Sequence, residues 1–172
     1  MNPVLKPIFA RRSVRKYKTK EVSEDVVKDL LEAAMSAPSA VGKDPWHFVV
    51  VRDELARKRL ADALPNGPML KDVPVAIVVC GDTVKVHDGL ESYMLQDCSA
   101  AVENLLLAAS MLGLGACWLG VHPRQERVDS IRRMLNLPKH VVPVAAISVG
   151  WPAEDAKPRT RFNSVAVHWE QW

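Results

Sequence analysis

The residues best suited to chemistry stand near the N terminus, where RRSVRKY runs from Arg11 to Tyr17 and gathers Arg11, Arg12 and Arg15 around the hydroxyl of Ser13. A guanidinium offers paired N–H donors in a planar fork, the side-chain geometry that best matches phosphate. Six of the ten residues from Arg11 to Lys20 are Arg or Lys while the whole chain carries a formal charge of only +3, so the positive charge is local. Taken alone, the run fits a solvated basic arm better than a phosphate site, with a nucleic-acid surface or a localisation signal as further options. A second candidate is Ala37 to Phe48 (APSAVGKDPWHF), an irregular loop bounded by Pro38 and Pro45 that leads into a β-prone run.

Other chemistries find no support. No catalytic triad or carboxylate pair is present; Glu24 and Asp25 fall in the first turn of a helix, where acids favour the helix dipole. His47, His87, His122, His140 and His168 never reach metal-ligand spacing, so no metal is expected. Cys80, Cys98 and Cys117 are odd in number, unpaired in spacing and set in apolar segments; they read as buried thiols of a reducing, cytoplasmic protein. Gly113, Gly115 and Gly120 resemble a dinucleotide fingerprint only loosely and follow a helix rather than a strand, which rejects a Rossmann site.

The elements that must position these residues are legible in the apolar pattern. Ser23 caps a helix lined by Val26, Val27, Leu30, Leu31 and Ala34 and closed by Pro38. Trp46–Val51 is a strand, and Asp53 opens a helix carrying Leu55, Leu60 and Leu64. Val73–Cys80 is apolar without alternation and reads as a strand buried on both faces. A helix from about Tyr93 to Leu112 is apolar around nearly its whole circumference, which predicts cover from a second copy of the chain. Ala116–Val121, Glu126–Leu135 and Val141–Val149 read as strand, helix and buried strand. After Gly150 a Pro- and Arg-rich arm ends in Ser164–Trp169, an alternating edge-strand pattern in need of a sheet. This alternation of helices and strands is compatible with either a parallel or an antiparallel sheet.

Length and composition agree with one globular domain over residues 1–172, with 48% hydrophobic and 25% charged residues and no linker or repeat. Cys98 to Pro123 is long enough to span a bilayer, but Glu103, Asn104 and the glycines argue for a buried helix in a protein without membrane contact. The basic opening, MNPVLKPIFARR, superficially resembles a transit peptide, although Pro3 and Pro7 would interrupt a targeting helix.

Together RRSVR, the helix, APSA with PW before an aliphatic strand, GLGACWLG after the apolar helix, VGWP, and the late pair Arg159 and Arg161 resemble the FMN-dependent nitroreductase family in order and spacing, from about Ile8 to Arg161. The resemblance implies an α+β fold, a largely antiparallel central sheet flanked by helices in an intertwined homodimer whose arm, 151–172, reaches the partner. It implies FMN as cofactor and two-step electron transfer from NAD(P)H to nitroaromatic, quinone or similar acceptors. Arg11, Arg12, Ser13 and Arg15 would hold the ribityl phosphate and pyrimidine edge, with Arg159 and Arg161 closing over the phosphate. Pro38, Ser39, Ala40 and, in the same loop, Gly42 would come from the other subunit. Leu119 and Gly120 would offer backbone amides beside the ring, and Trp118 either packs there or is a core aromatic. Relatives with other reactions, dehalogenation or flavin fragmentation, and a flavin store without turnover are alternatives; a nucleic-acid module using residues 11–20 is the remote one. Two departures stand out: Gly42 and Asp44 replace the Asn and Gln common in the family, removing a hydrogen bond and adding a carboxylate that would repel phosphate or pair with an arginine. The chain also lacks the insertions that often roof the substrate pocket.

Overall fold

Four strands form one antiparallel sheet in the order β1-β2-β4-β3: β1 is Trp46–Val51, β2 Val75–Asp82, β3 Gly115–Gly120 and β4 Val141–Gly150. The computed structural model describes residues 2–155 and 157–172. Met1, at the head of the basic opening, and Ala156, within the arm, lie outside the described residues. The helices are α1 (Lys6–Ala10), α2 (Glu24–Met35), α3 (Glu54–Asp62), α4 (Glu91–Met111) and α5 (Gln125–Met134).

Both sheet faces are covered, which is why β2 is apolar at consecutive positions. Val75, Ile77 and Val79 point into a core shared with α2 and α4, while Ala76, Val78 and Cys80 point into a second core shared with α3, α5 and the turn Pro68–Lys71. Period-two alternation thus delivers apolar side chains to two layers instead of one. Every position of β2 is buried. The antiparallel pairing settles the choice that the alternation of elements leaves open.

The caps agree with the sequence. Ser23 accepts from the Val26 amide at the start of α2, and Asp53 does the same for Ala56 at the start of α3. Three expectations need correction. Leu55 lies on the solvent side of α3, 64% exposed, and the core contact is made by Leu60 and Ala61. The second strand starts at Val75 rather than Val73, because the Val73 amide closes a turn onto Met69 and Pro74 has no N–H to give a ladder. Ser164–Trp169 is not a strand: Ser164–Ala166 form a 3-10 turn capped by Asn163, and the segment lies exposed. A strand needs an open sheet edge, and none within the chain takes this one.

The apolar helix finds most of its cover within the chain. Met94, Cys98, Ala101, Val102, Leu105, Leu106 and Ala109 of α4 are buried, and Ala100, Leu107 and Ala108 are half-buried. All three cysteines are buried and free.

The feature that matters most for the site is the path of residues 11–17, which run extended along the outer side of β3. Ser13 pairs in parallel with Ala116, and the Val14 amide donates to the Ala116 carbonyl at 3.0 Å. Val14 lies directly over Gly115, where an added Cβ would stand 2.7 Å from the Val14 Cβ and Cγ1. Since Val14 is β-branched and stiff, it cannot yield cheaply. Gly115→Ala is therefore expected to lower stability by about 1–3 kcal/mol, the usual range for forced overpacking, in a urea unfolding titration. An unchanged midpoint would mean the segment is not seated on β3.

Candidate functional site

The arginines of the opening segment divide between two places. Arg11 and Arg12 line a pocket of about 260 Å³ together with Ile8, Phe9, Arg159, Thr160 and Arg161. Arg15 instead lines a cleft of about 470 Å³ with Trp118, Leu119 and Gly120. Arg12 and Arg15 are three residues apart, so their backbones are separated by at most about 10 Å at roughly 3.3 Å per residue.

The first pocket joins the two ends of the chain. The Arg12 Nη1 donates to the Lys157 carbonyl at 2.7 Å, and the Arg159 amide donates to the Phe9 carbonyl at 3.3 Å. Arg159 is exposed, yet its guanidinium pKa is depressed by the neighbouring charges of Arg161 first and then Arg12. Three cations therefore feel one another there. Arg11 is partly committed elsewhere, since its Nε pairs with Glu103 at 3.2 Å. Concentrated like charge of this kind is the electrostatic signature of a place awaiting an anion.

The cleft is held by contacts to the arm and to β4. Glu154 accepts from the Arg15 amide at 2.6 Å and from the Lys16 amide at 3.3 Å. The Tyr17 hydroxyl donates to the Val14 carbonyl at 2.5 Å and shares a 2.8 Å hydrogen bond with Ser148, which is fully buried on β4. Burial pushes the phenol well above the usual tyrosine range, with the Ser148 hydrogen bond opposing this. Trp118 is 37% exposed and faces the cleft, so the reading as a wholly core aromatic is set aside. At Gly120 no atom stands within 4 Å of an added Cβ, so the missing side chain keeps that part of the cleft open.

Pro38, Ser39, Ala40 and Gly42 line neither pocket within this chain. They form a turn in which Val41, Gly42 and Asp44 all take left-handed backbone, with φ of 54°, 63° and 48°. Left-handed backbone is costly for a β-branched residue such as Val41, and local hydrogen bonds hold it. Ser39 Oγ donates to Asp44 Oδ1 at 2.6 Å and accepts from the Asp44 amide at 3.0 Å. The Ala40 amide donates to Asp97 Oδ1 at 2.9 Å. Among the described residues Asp44 pairs with no arginine; it closes its own loop through Ser39 instead.

Four residues of these sites carry no prior sequence signal: Asn66 and Arg127 in the cleft, Glu154 under Arg15, and Asp97 behind the loop. Asn66 sits in a PNGP stretch that reads only as a turn, and Arg127 flanks the buried face of α5 like any solvated helix arginine. Among the described residues no group of His, Cys, Asp and Glu could hold a metal ion, and no helix is long and apolar enough to cross a membrane.

A family model described as the nitroreductase family matches residues 8–68 and 63–151. A protein of Methanothermobacter thermautotrophicus with the provisional name NADH dehydrogenase/NAD(P)H nitroreductase is 46% identical over 169 residues, covering 98% of this chain and 87% of its own. A crystal structure from Parabacteroides distasonis with the same provisional name is 41% identical with a TM-score of 0.94, covering all of both chains. A structure from Desulfovibrio desulfuricans, provisionally a nitroreductase and solved in complex with FMN, is 33% identical with a TM-score of 0.85, covering 100% of this chain and 99% of that one.

Removing the Tyr17 hydroxyl tests what holds the arginine segment in place. Tyr17→Phe loses both hydrogen bonds and leaves the Ser148 hydroxyl buried, so a loss of about 1–3 kcal/mol is expected in urea unfolding. The pH dependence has a definite sign. The folded phenol binds its proton more tightly than the unfolded one, whose pKa is about 10, so this contribution is complete below pH ~10 and falls as pH rises beyond it. Absorbance at 295 nm should show one of the two tyrosines ionising only as the protein unfolds.

Proposed function

Because the chain belongs to the nitroreductase family, we propose that it is an FMN-dependent oxidoreductase carrying electrons from NAD(P)H to a nitroaromatic, quinone or similar small acceptor in two separate half-reactions. The observation that carries this reading is the convergence of Arg12, Arg159 and Arg161 on one pocket, with the cleft of Arg15 and Gly120 three residues further along the same segment. FMN needs those two places: a dianionic phosphate at one end of a five-carbon chain and a planar ring at the other.

The residues fit the group on their own chemistry. Arg12, Arg159 and Arg161, with Arg11 contributing the donors that Glu103 leaves free, hold the phosphate through charge-assisted hydrogen bonds. Ser13, exposed between the two places, adds a hydroxyl donor. Arg15, fixed at its backbone by Glu154, puts its positive charge at the pyrimidine edge, where negative charge develops on reduction. Trp118, Leu119 and Gly120 wall the ring, and the open space at Gly120 admits it. When bound, FMN supplies the hydride chemistry, and the protein contributes binding, orientation and electrostatics.

Pro38, Ser39, Ala40 and Gly42 belong in this reading to the site of a second copy. Their strained, hydrogen-bonded turn is rigid enough to serve as a wall, and the arm, 151–172, leaves Phe162, Val165, Trp169 and Trp172 exposed for a partner to cover. The working unit is a homodimer, and elution at the mass of one chain in gel filtration would contradict it.

Purified protein, loaded with FMN, is expected to absorb in the visible as a flavoprotein and to oxidise NAD(P)H only when an acceptor is supplied. Arg161→Gln is expected to weaken FMN binding roughly 10- to 100-fold, the worth of one hydrogen bond to a charged group at about 1.5–3 kcal/mol. Fluorescence titration measures this, and an unchanged dissociation constant would remove Arg161 from the phosphate site.

A further inference from the structure

The ring-side cleft contains a second guanidinium that the flavin assignment leaves unused. Arg127 reaches it from the third position of α5, and its Nη1 donates to the Gly120 carbonyl at 3.0 Å. Its Nε is buried and has no hydrogen-bond partner. None of the residues lining the cleft is acidic, and among the described residues neither Arg127 nor Arg15 forms an ion pair with a carboxylate. The Nε faces the protein interior and is out of a ligand's reach; it is the rest of the guanidinium, partly withdrawn from water and without a counter-charge, that favours an anion beside it.

Resting on the reading that Arg15 serves the flavin, we infer that Arg127 selects the electron acceptor, and that the preferred acceptors are small aromatic compounds bearing a carboxylate. Several features of the cleft support this class. Trp118, beside the flavin ring in the proposed reading, keeps the cleft aromatic, Asn66 offers amide donors and acceptors at the exposed side, and Arg127 is the cation that matches a carboxylate with paired donors. The Gly120 carbonyl fixes the guanidinium, so little side-chain freedom is lost when the anion arrives. The reaction balances as for any nitro acceptor. NAD(P)H and one proton supply two electrons and two hydrogens, the nitro group loses one oxygen as water, and a nitroso product and NAD(P)+ remain.

The test uses FMN-loaded protein and two nearly isosteric probes, benzoate and benzamide, titrated by calorimetry at neutral pH where only benzoate is charged. Wild-type protein should bind benzoate at least tenfold more tightly than benzamide. Arg127→Gln should bring that ratio close to one, and Arg127→Lys should restore part of it. The same ratio should appear in kcat/KM for 4-nitrobenzoate against 4-nitrobenzamide, carried mainly by KM. Equal affinities in the wild-type protein would overturn the inference, as would a preference that survives Arg127→Gln. Release of FMN by Arg127→Gln, read from the visible spectrum, would assign the residue to the cofactor and also overturn it. Failure of the wild-type protein to hold FMN at all would sink the flavin reading itself, and the spectrum recorded before any probe is added separates that case.

Discussion

Everything at the site depends on the lateral attachment of residues 13–17 to the sheet. Without it the arginines would be a solvated arm, as their sequence alone suggests. Val14 packs over Gly115, its amide joins Ala116, and the Tyr17 hydroxyl bridges the Val14 carbonyl to the buried Ser148. These contacts fix the segment along which Arg12 and Arg15 reach separate pockets.

The arrangement has an electrostatic cost. Arg12, Arg159 and Arg161 bring like charges together, and the charges of Arg161 and then Arg12 lower the pKa of Arg159; of the arginines in this pocket, among the described residues, Arg11 alone has a carboxylate, Glu103, at hand. Water screens part of this repulsion at an exposed surface, and an anion offsets the rest. The cost falls where the two ends of the chain meet, and hydrogen bonds to the backbone carbonyls of Lys157 and Phe9 tie those ends together. The cleft repeats the pattern on a smaller scale with Arg15 and Arg127.

Most of the fold was legible in the sequence because its layers are encoded by simple periods. The unbroken apolar run of β2 signals two covered faces, and Ser23 and Asp53 signal helix starts; the apolar girth of α4 signals a helix in need of cover all round, most of which comes from this chain and not from the second copy it suggested. The antiparallel sense came from the family resemblance, since the order of elements is equally consistent with parallel strands. What failed was pattern without context. Ser164–Trp169 alternates like a strand but lies exposed and joins neither edge of the sheet, and Leu55 has the spacing of a core residue on a helix whose buried stripe passes beside it. The site was legible where a motif concentrates one chemistry, as in RRSVR. It was illegible where a residue acts through a long reach across the fold: Glu154 lies 139 positions from Arg15, and Arg127 is one helix arginine among several. The role of Asp44 was hidden for a related reason, since closing a loop on Ser39 depends on a left-handed backbone that no residue type announces.

The central claim is that the paired chain ends recognise a phosphate, and comparing FMN with riboflavin isolates that group, since the two flavins differ by the phosphate alone. Three converging guanidinium groups predict that FMN binds at least 100-fold more tightly in fluorescence titration, with an advantage that shrinks as salt is added. Equal affinity for the two flavins would contradict the account, because the arginines would then face one another without a purpose.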